Sequence, residues 1–433
     1  MKIKIMKIIK EKSRNFDLIF KKLINKRIDA VNKNIEIKVK KIINDVKKYG
    51  DTSLIYSIKK FDKNTIEKKD ILLNSKKISQ YSKNIDPKIL KSFKIAVKRI
   101  NKYHLKQYPK NFTSKEKGIS LSQRWTPIDS VGIYVPGGKA SYPSSLIMSL
   151  IPAKIAGVKR IVVTTPSQKG KFNPYIMAIL KLFKIKEVYQ IGGAHAIAAM
   201  SYGTESIKPV SKIFGPGNIY VSTAKKQIFG KSGIDTIAGP SEIVVVADKK
   251  NKPDWIASDL IAQAEHDEKS QSILITDNLN FASKVKESIK RLTKNQIKKK
   301  TINQSLENFG VIIVIKSIKN SYKYVNEISP EHLHLQTSIN EYIYKRVTNA
   351  GAVFFGSYST ESFGDYIAGT NHVLPTSGSA RFSSGLGVLD FMKRNSAIRI
   401  TKKGFKKLST YTQQMAEAEG LYAHKLSVKI REN

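Results

Sequence analysis

The pattern of apolar positions divides the chain near residue 119. Before it, apolar residues recur at helical spacing within a lysine-rich background. Residues 35–48 read as a helix stopped at Gly50, with Asp51 as a fresh N-cap. Asp86-Pro87 opens a long helix towards Tyr108, which Pro109 ends. Residues 1–28 carry too few apolar positions to fold alone and read as a basic helical arm.

After Ile119 short β-rich runs alternate with helical ones. Strands are expected at 131–135, 160–164, 187–191, 242–247, 272–276, 311–315 and 353–355. Between them lie helical patterns at 145–156, 174–183, 196–200, 253–265, 281–292 and 318–328. Strand, glycine turn and helix in repetition argue for βαβ units, hence for an α/β fold with two Rossmann-like domains and parallel sheets. The expected division is a discontinuous main domain (29–129 and 239–385), an inserted domain (130–238) and a tail (386–433). A helix at 410–423 in that tail is expected to pack on something other than its own domain.

Composition narrows this picture. A chain of 433 residues can bury a large core and should form more than one domain. The most apolar run, 146–158, is broken by Ser149, Pro152 and Lys154, and no apolar segment of signal-peptide length opens the chain. Cytoplasmic residence without membrane contact is therefore expected. The net charge of +43 invites a nucleic-acid reading. The lysines, however, are spread along the whole chain without interleaved aromatics, so no specific nucleic-acid site is expected. The absence of cysteine excludes disulfides, thiolate metal ligands and a thiol nucleophile together.

Neither GxGxxG nor a P-loop occurs. Glycine turns do follow predicted strands, in Gly132-Ile133-Tyr134-Val135-Pro136-Gly137-Gly138, in Gly192-Gly193 and in Phe214-Gly215-Pro216-Gly217-Asn218. Several such turns at one end of successive βα units favour a nucleotide-sized crevice. Of the seven histidines, His104 is expected exposed and inert, while His195 opens a helix at a ligand-contact position. His332 and His334 alternate on one strand face, and Glu331 beside His332 is the best acid/base pair in the chain. His372 lies in a loop, and His424 lies near the C-terminus. Gln263 and His266, three apart after the Ser241 turn, share a helix face, a spacing that also arises by chance. By residue type alone, Glu265 and Asp267 are better cation ligands than Gln263.

The runs 234–242 and 257–266, the glycine turns, Pro330-Glu331-His332, 364–372 and 419–424 closely resemble the histidinol dehydrogenase family. The resemblance covers nearly the whole chain. It implies an aldehyde-dehydrogenase-like pair of domains and a cytoplasmic homodimer with shared active sites. It further implies NAD-dependent oxidation of L-histidinol through L-histidinal to L-histidine, with one zinc per subunit. Carried over residue by residue, zinc would be held by Gln263, His266, Asp365 and His424, the last from the partner. Glu331 would activate water and His332 would be the acid/base. Ser241 and Glu419 would hold substrate, together with His332 and the zinc ligands. Tyr134, His195 and Asn218 would line the NAD site of the inserted domain. The family usually has Gln where this chain has His195, which cannot present an amide's donor and acceptor together. Another zinc-dependent amino-alcohol dehydrogenase, and a basic nucleic-acid-binding protein on the same scaffold, are the alternatives.

Overall fold

A computed structural model describes residues 6–25, 33–83, 85–137, 142–237 and 239–432. Gly138 and Ala238, from two of the motifs, lie outside these, as do positions 1–5 and 26–28 of the expected arm. Two parallel sheets form the frame. The larger runs Lys7–Lys10, Val311–Val314, Gln271–Thr276, Glu242–Ala247, His332–Gln336, Ala352–Phe355. The smaller runs Glu187–Tyr189, Arg160–Thr164, Ser130–Tyr134, Lys212–Phe214, Gly233–Ile234. Their central strands are buried on both faces, which is why they read as unbroken apolar runs such as Glu242–Ala247.

The two sheets share one topology. Leaving aside the N-terminal strand, each runs third, second, first, fourth, fifth by chain position, the doubly wound order. Each therefore has one switch point beside its first strand: between Ser130–Tyr134 and Lys212–Phe214, and between Glu242–Ala247 and His332–Gln336. The α/β class and the parallel pairing agree with the sequence pattern.

Three features depart from it. The expected N-terminal arm is docked: Lys7–Lys10 pairs with Val311–Val314, and Phe16 and Phe20 are buried against Tyr324. Two phenylalanines on one face of the Phe16–Asn25 helix provide the apolar stripe that composition concealed. The helices Lys33–Ser57 and Pro87–His104 cover opposite faces of the smaller sheet, rather than joining the larger one as expected. A third, antiparallel sheet, Met392–Ile400, Ile119–Pro127 and Phe112–Glu116, went unread. Its strands are largely solvent-exposed, so they lack the in/out alternation that marks a strand. The tail then forms the helices Lys402–Ala418 and Tyr422–Lys429, split at Gly420, whose φ of 71° suits glycine. Among the described residues no helix is long and apolar enough to cross a membrane.

The tail strand is anchored through Phe391, which stacks on Phe214 of the smaller sheet with centroids 4.0 Å apart and both rings fully buried. Phe391→Ala should cost about 3–5 kcal/mol through lost burial and a residual cavity. The check is the first transition in differential scanning calorimetry, which should move to lower temperature.

Candidate active site

The site forms at the amino-terminal ends of the strands flanking the larger sheet's switch point. Parallel register sets His332 opposite Ile243, so Glu331 and Glu242 lie side by side just before it. The Glu242 N–H donates to Glu331 Oε2 at 2.9 Å, and the Glu242 carbonyl lies 3.1 Å from His332 Nδ1. A carbonyl oxygen only accepts, so Nδ1 carries the ring proton and Nε2 presents a lone pair. Among the described residues that Nε2 has no hydrogen-bond partner, and Asp365 Oδ1 is 3.8 Å away. Ser241 adds a side-chain hydrogen bond to Glu331. The next loop closes over this end, Ser377 N–H donating to Glu242 Oε1 at 3.0 Å and Thr376 Oγ1 accepting from Gly239 at 2.7 Å. A Cβ on Gly239 would overlap Ser377 Oγ, so the loop packs closely against this glycine.

The helix Pro253–Ala264 runs back from the first strand and ends at the same place. It starts at Pro253, as the sequence pattern expects, and His266 lies just past its end, with its N–H on the Gln263 carbonyl at 3.3 Å. Glu265 points outward near Lys298 at 3.8 Å, and Asp267 accepts from the Lys269 N–H at 2.9 Å, so neither turns inward. Asp259, one turn before Gln263, ties this helix to the strand His332–Gln336: Gln336 Nε2 donates to it at 2.7 Å and His334 Nδ1 lies at 3.3 Å. His332 and His334 do share a face, both against Phe354.

A third element completes the cluster. Glu361 and Asp365, four apart on the helix Glu361–Tyr366, share a face. His266, Glu361 and Asp365 each offer a ligand atom, all within 4.8 Å of one another. Both polar atoms of the fully buried Gln263 amide, and Glu361 Oε2, are without partners among the described residues. Burial pushes the Glu331, Glu361 and Asp365 carboxyls up, Glu331 and Glu361 well above the usual range, and pushes His332 down to about 3. It lowers His266 as well. Unpartnered oxygen and nitrogen donors in a buried pocket fit a divalent cation of zinc's preferences, whose charge would reverse the burial effect on the carboxylates.

Sequence reasoning missed Glu361, although its spacing from Asp365 on a short helix was a usable signal. It also undervalued His372, whose Nδ1 lies 2.7 Å from the Asp365 carbonyl and whose Nε2 lies 2.8 Å from Ser145 Oγ. His104, expected exposed, is fully buried, with Nδ1 2.8 Å from the Ile100 carbonyl and Nε2 3.4 Å from Asn371. Glu419 and His424 are exposed in the tail, and within one chain they take no part in the cluster.

The other switch point lies at the carboxyl ends of the smaller sheet. Tyr134 is buried there, its Oη accepting from the Gly193 N–H at 3.2 Å. His195 is buried against Phe61, ring centroids 5.6 Å apart, and burial pushes it down to about 4. Asn218 is exposed and caps the helix Ile219–Ile228 by accepting from Tyr220 N–H at 3.0 Å. The helix Pro143–Ala156, which follows the Tyr134 strand, joins the two regions: Ser145 meets His372, and the Tyr142 ring lies 6.4 Å from that of His266.

Comparison with known proteins assigns the chain to one family. The histidinol dehydrogenase family profile matches residues 25–432. The histidinol dehydrogenase of Agrobacterium fabrum is 45% identical over 404 residues, covering 93% of this chain and 94% of that one. That of Rhodospirillum rubrum is 45% identical over 398 residues, covering 91% and 92%. A crystal structure of histidinol dehydrogenase from Elizabethkingia anophelis superposes with a TM-score of 0.93 at 36% identity, covering 98% of each chain. The chain belongs to the histidinol dehydrogenase family, oxidoreductases of histidine biosynthesis.

Proposed function

We propose that the enzyme oxidises L-histidinol through L-histidinal to L-histidine with two molecules of NAD, in a zinc-containing homodimer of the cytoplasm. The observation that carries this reading is the convergence of His266, Asp365 and the unpartnered Gln263 amide beside Glu331 and His332. In this reading Gln263, His266 and Asp365, with His424 of the partner subunit, hold the metal. Ser241 and Glu419 contact substrate, and Tyr134, His195 and Asn218 line the dinucleotide crevice. The dimer is supported by the tail, where Tyr411, Met415, Tyr422 and Leu426 are exposed on its two helices and Ile430 is exposed just beyond them.

Zinc, when bound, supplies a cationic anchor for the substrate's imidazole and amine, and NAD a hydride acceptor. His332 then acts through Nε2, neutral because burial depresses its basicity and directed because Nδ1 is committed to the Glu242 carbonyl. It takes the hydroxyl proton as hydride leaves the carbinol carbon. In the second half Glu331 takes a proton from the water that attacks the aldehyde, and the resulting hydrate loses hydride in turn. Burial raises Glu331 well above the usual carboxylate range, which makes it a stronger base once ionised. With no cysteine in the chain, a thiohemiacetal route has no nucleophile. Two oxidations of one carbon thus share one pocket, separated by which of two adjacent residues receives the proton.

The decisive experiment measures zinc content and NADH production from histidinol together. Asp365→Ala should lose most of its metal and about 100-fold or more of its activity, since even partners outside the ligand set cost 10–100-fold. Wild type that holds metal as a dimer yet makes no NADH from histidinol would overturn the reading. Glu331→Gln should slow histidinal oxidation by about 10²–10⁴ while sparing alcohol oxidation to within about tenfold. Single-turnover assays started from each substrate measure this, and equal losses would remove the assigned role. His195→Gln, which restores an amide, should lower KM for NAD by about 3-fold to 10-fold, the worth of one hydrogen bond.

A further inference from the structure

In a chain with 77 lysines and arginines, Lys225 lies in the core. Among the described residues Lys225 is the only lysine in the buried set; its side chain is 2% exposed. It lies in the last turn of the helix Ile219–Ile228. Its ammonium pairs with Asp235, whose side chain is 3% exposed, just after the strand Gly233–Ile234. A buried ion pair is weak support for stability, because desolvation offsets much of the attraction, and well-packed apolar residues often do as well. Its retention calls for another explanation, and the hydrogen bonds give one. Lys225 Nζ donates to the Gly215 carbonyl at 3.0 Å, and the Gly215 N–H donates to Asp235 Oδ2 at 2.7 Å.

Both peptide groups of one glycine are therefore held by the two halves of one ion pair. That glycine opens the Gly215-Pro216-Gly217-Asn218 turn at the smaller sheet's switch point. Its φ is +112°, and a Cβ would overlap the Tyr134 carbonyl. The turn is thus pressed against the Tyr134 strand on one side and clamped on the other, with Asn218 fixed as the next helix's cap. We propose that the Lys225–Asp235 pair is a positioning device for dinucleotide binding, holding the Gly215–Asn218 turn in the shape that NAD meets. The inference rests on the reading that places NAD at this turn. Neither side chain is a catalytic residue, since both act through the backbone of Gly215. Charges, rather than neutral groups, suit the task, because charge-assisted hydrogen bonds to the peptide are stronger and stiffer.

The test compares wild type with the protein carrying both Lys225→Met and Asp235→Leu, which removes both charges and leaves neither buried alone. Titration with NAD gives Kd, steady-state assays give KM for NAD and for histidinol, and metal analysis gives zinc content. Amide hydrogen exchange reports on the turn directly. The expected result is a Kd and KM for NAD raised about 10-fold or more, faster exchange at Gly215, and zinc content and histidinol KM within about twofold. Unchanged NAD affinity in the folded double variant overturns the proposal. So does a proportionate loss of NAD, histidinol and zinc binding, which is what general loosening of the fold produces. Should the double variant fail to fold, Asp235→Asn is compared in its place; it keeps an acceptor for Gly215 but weakens the clamp, and unchanged NAD affinity there overturns the proposal equally. Failure of wild type itself to bind NAD would count against the underlying reading and not against the clamp.

Discussion

The backbone of Glu242 is the point on which the site depends. Its N–H holds the Glu331 carboxylate and its carbonyl lies against the His332 ring, so one residue's peptide groups orient both proton-transfer candidates. The arrangement follows from parallel register, which brings the starts of two strands level. A slip of one residue would turn every side chain of the His332–Gln336 strand to the other face. His332 and His334 would leave Phe354, and the tie from His334 and Gln336 to Asp259 would break. That tie fixes the helix that ends at Gln263 and His266. The Glu331–His332 pair and the cluster of His266, Glu361 and Asp365 are thus set by the same pairing.

Two sheets of identical strand order are put to different use. Ligands of doubly wound sheets ordinarily meet the carboxyl ends of the strands at the switch point, which is where the Tyr134 and Gly215 turns lie. The cluster around Glu331, His332 and Asp365 lies instead at the amino ends of the larger sheet. Helix Pro253–Ala264 delivers Gln263 and His266 there because a helix following a strand runs back antiparallel to it. The carboxyl end of one sheet then faces the amino end of the other, and Tyr142 and Ser145 at the start of Pro143–Ala156 span the gap.

Surface charge and site charge also oppose each other. The chain is strongly basic overall, yet the pocket gathers Glu331, Glu361 and Asp365, with Asp259 and Glu242 close behind. Several buried carboxyls so near one another cannot all ionise without a cation, which is why burial and mutual repulsion raise them together. The extreme net charge therefore says little about the chemistry. The few residues taken out of water decide it.

The sequence by itself determined the α/β class, the parallel strands and the glycine turns, because apolar periodicity and φ preferences are local properties. The long motifs at 257–266, 330–332 and 364–372 also named the family and most of the residues that now stand near one another. Tertiary structure decided the rest. The strands Lys7–Lys10 and Met392–Ile400 took form only through partners distant in the chain, with no local alternation to announce them. Glu361 joined the cluster, and His104 became a core residue, because helices contributed by remote segments covered them. Glu265 and Asp267 looked the better ligands by residue type, but the turn ending their helix directs them to solvent while the Gln263 amide is sealed inside. Which side chains face water and which face one another depends on contacts between segments hundreds of residues apart, and no local pattern carries that.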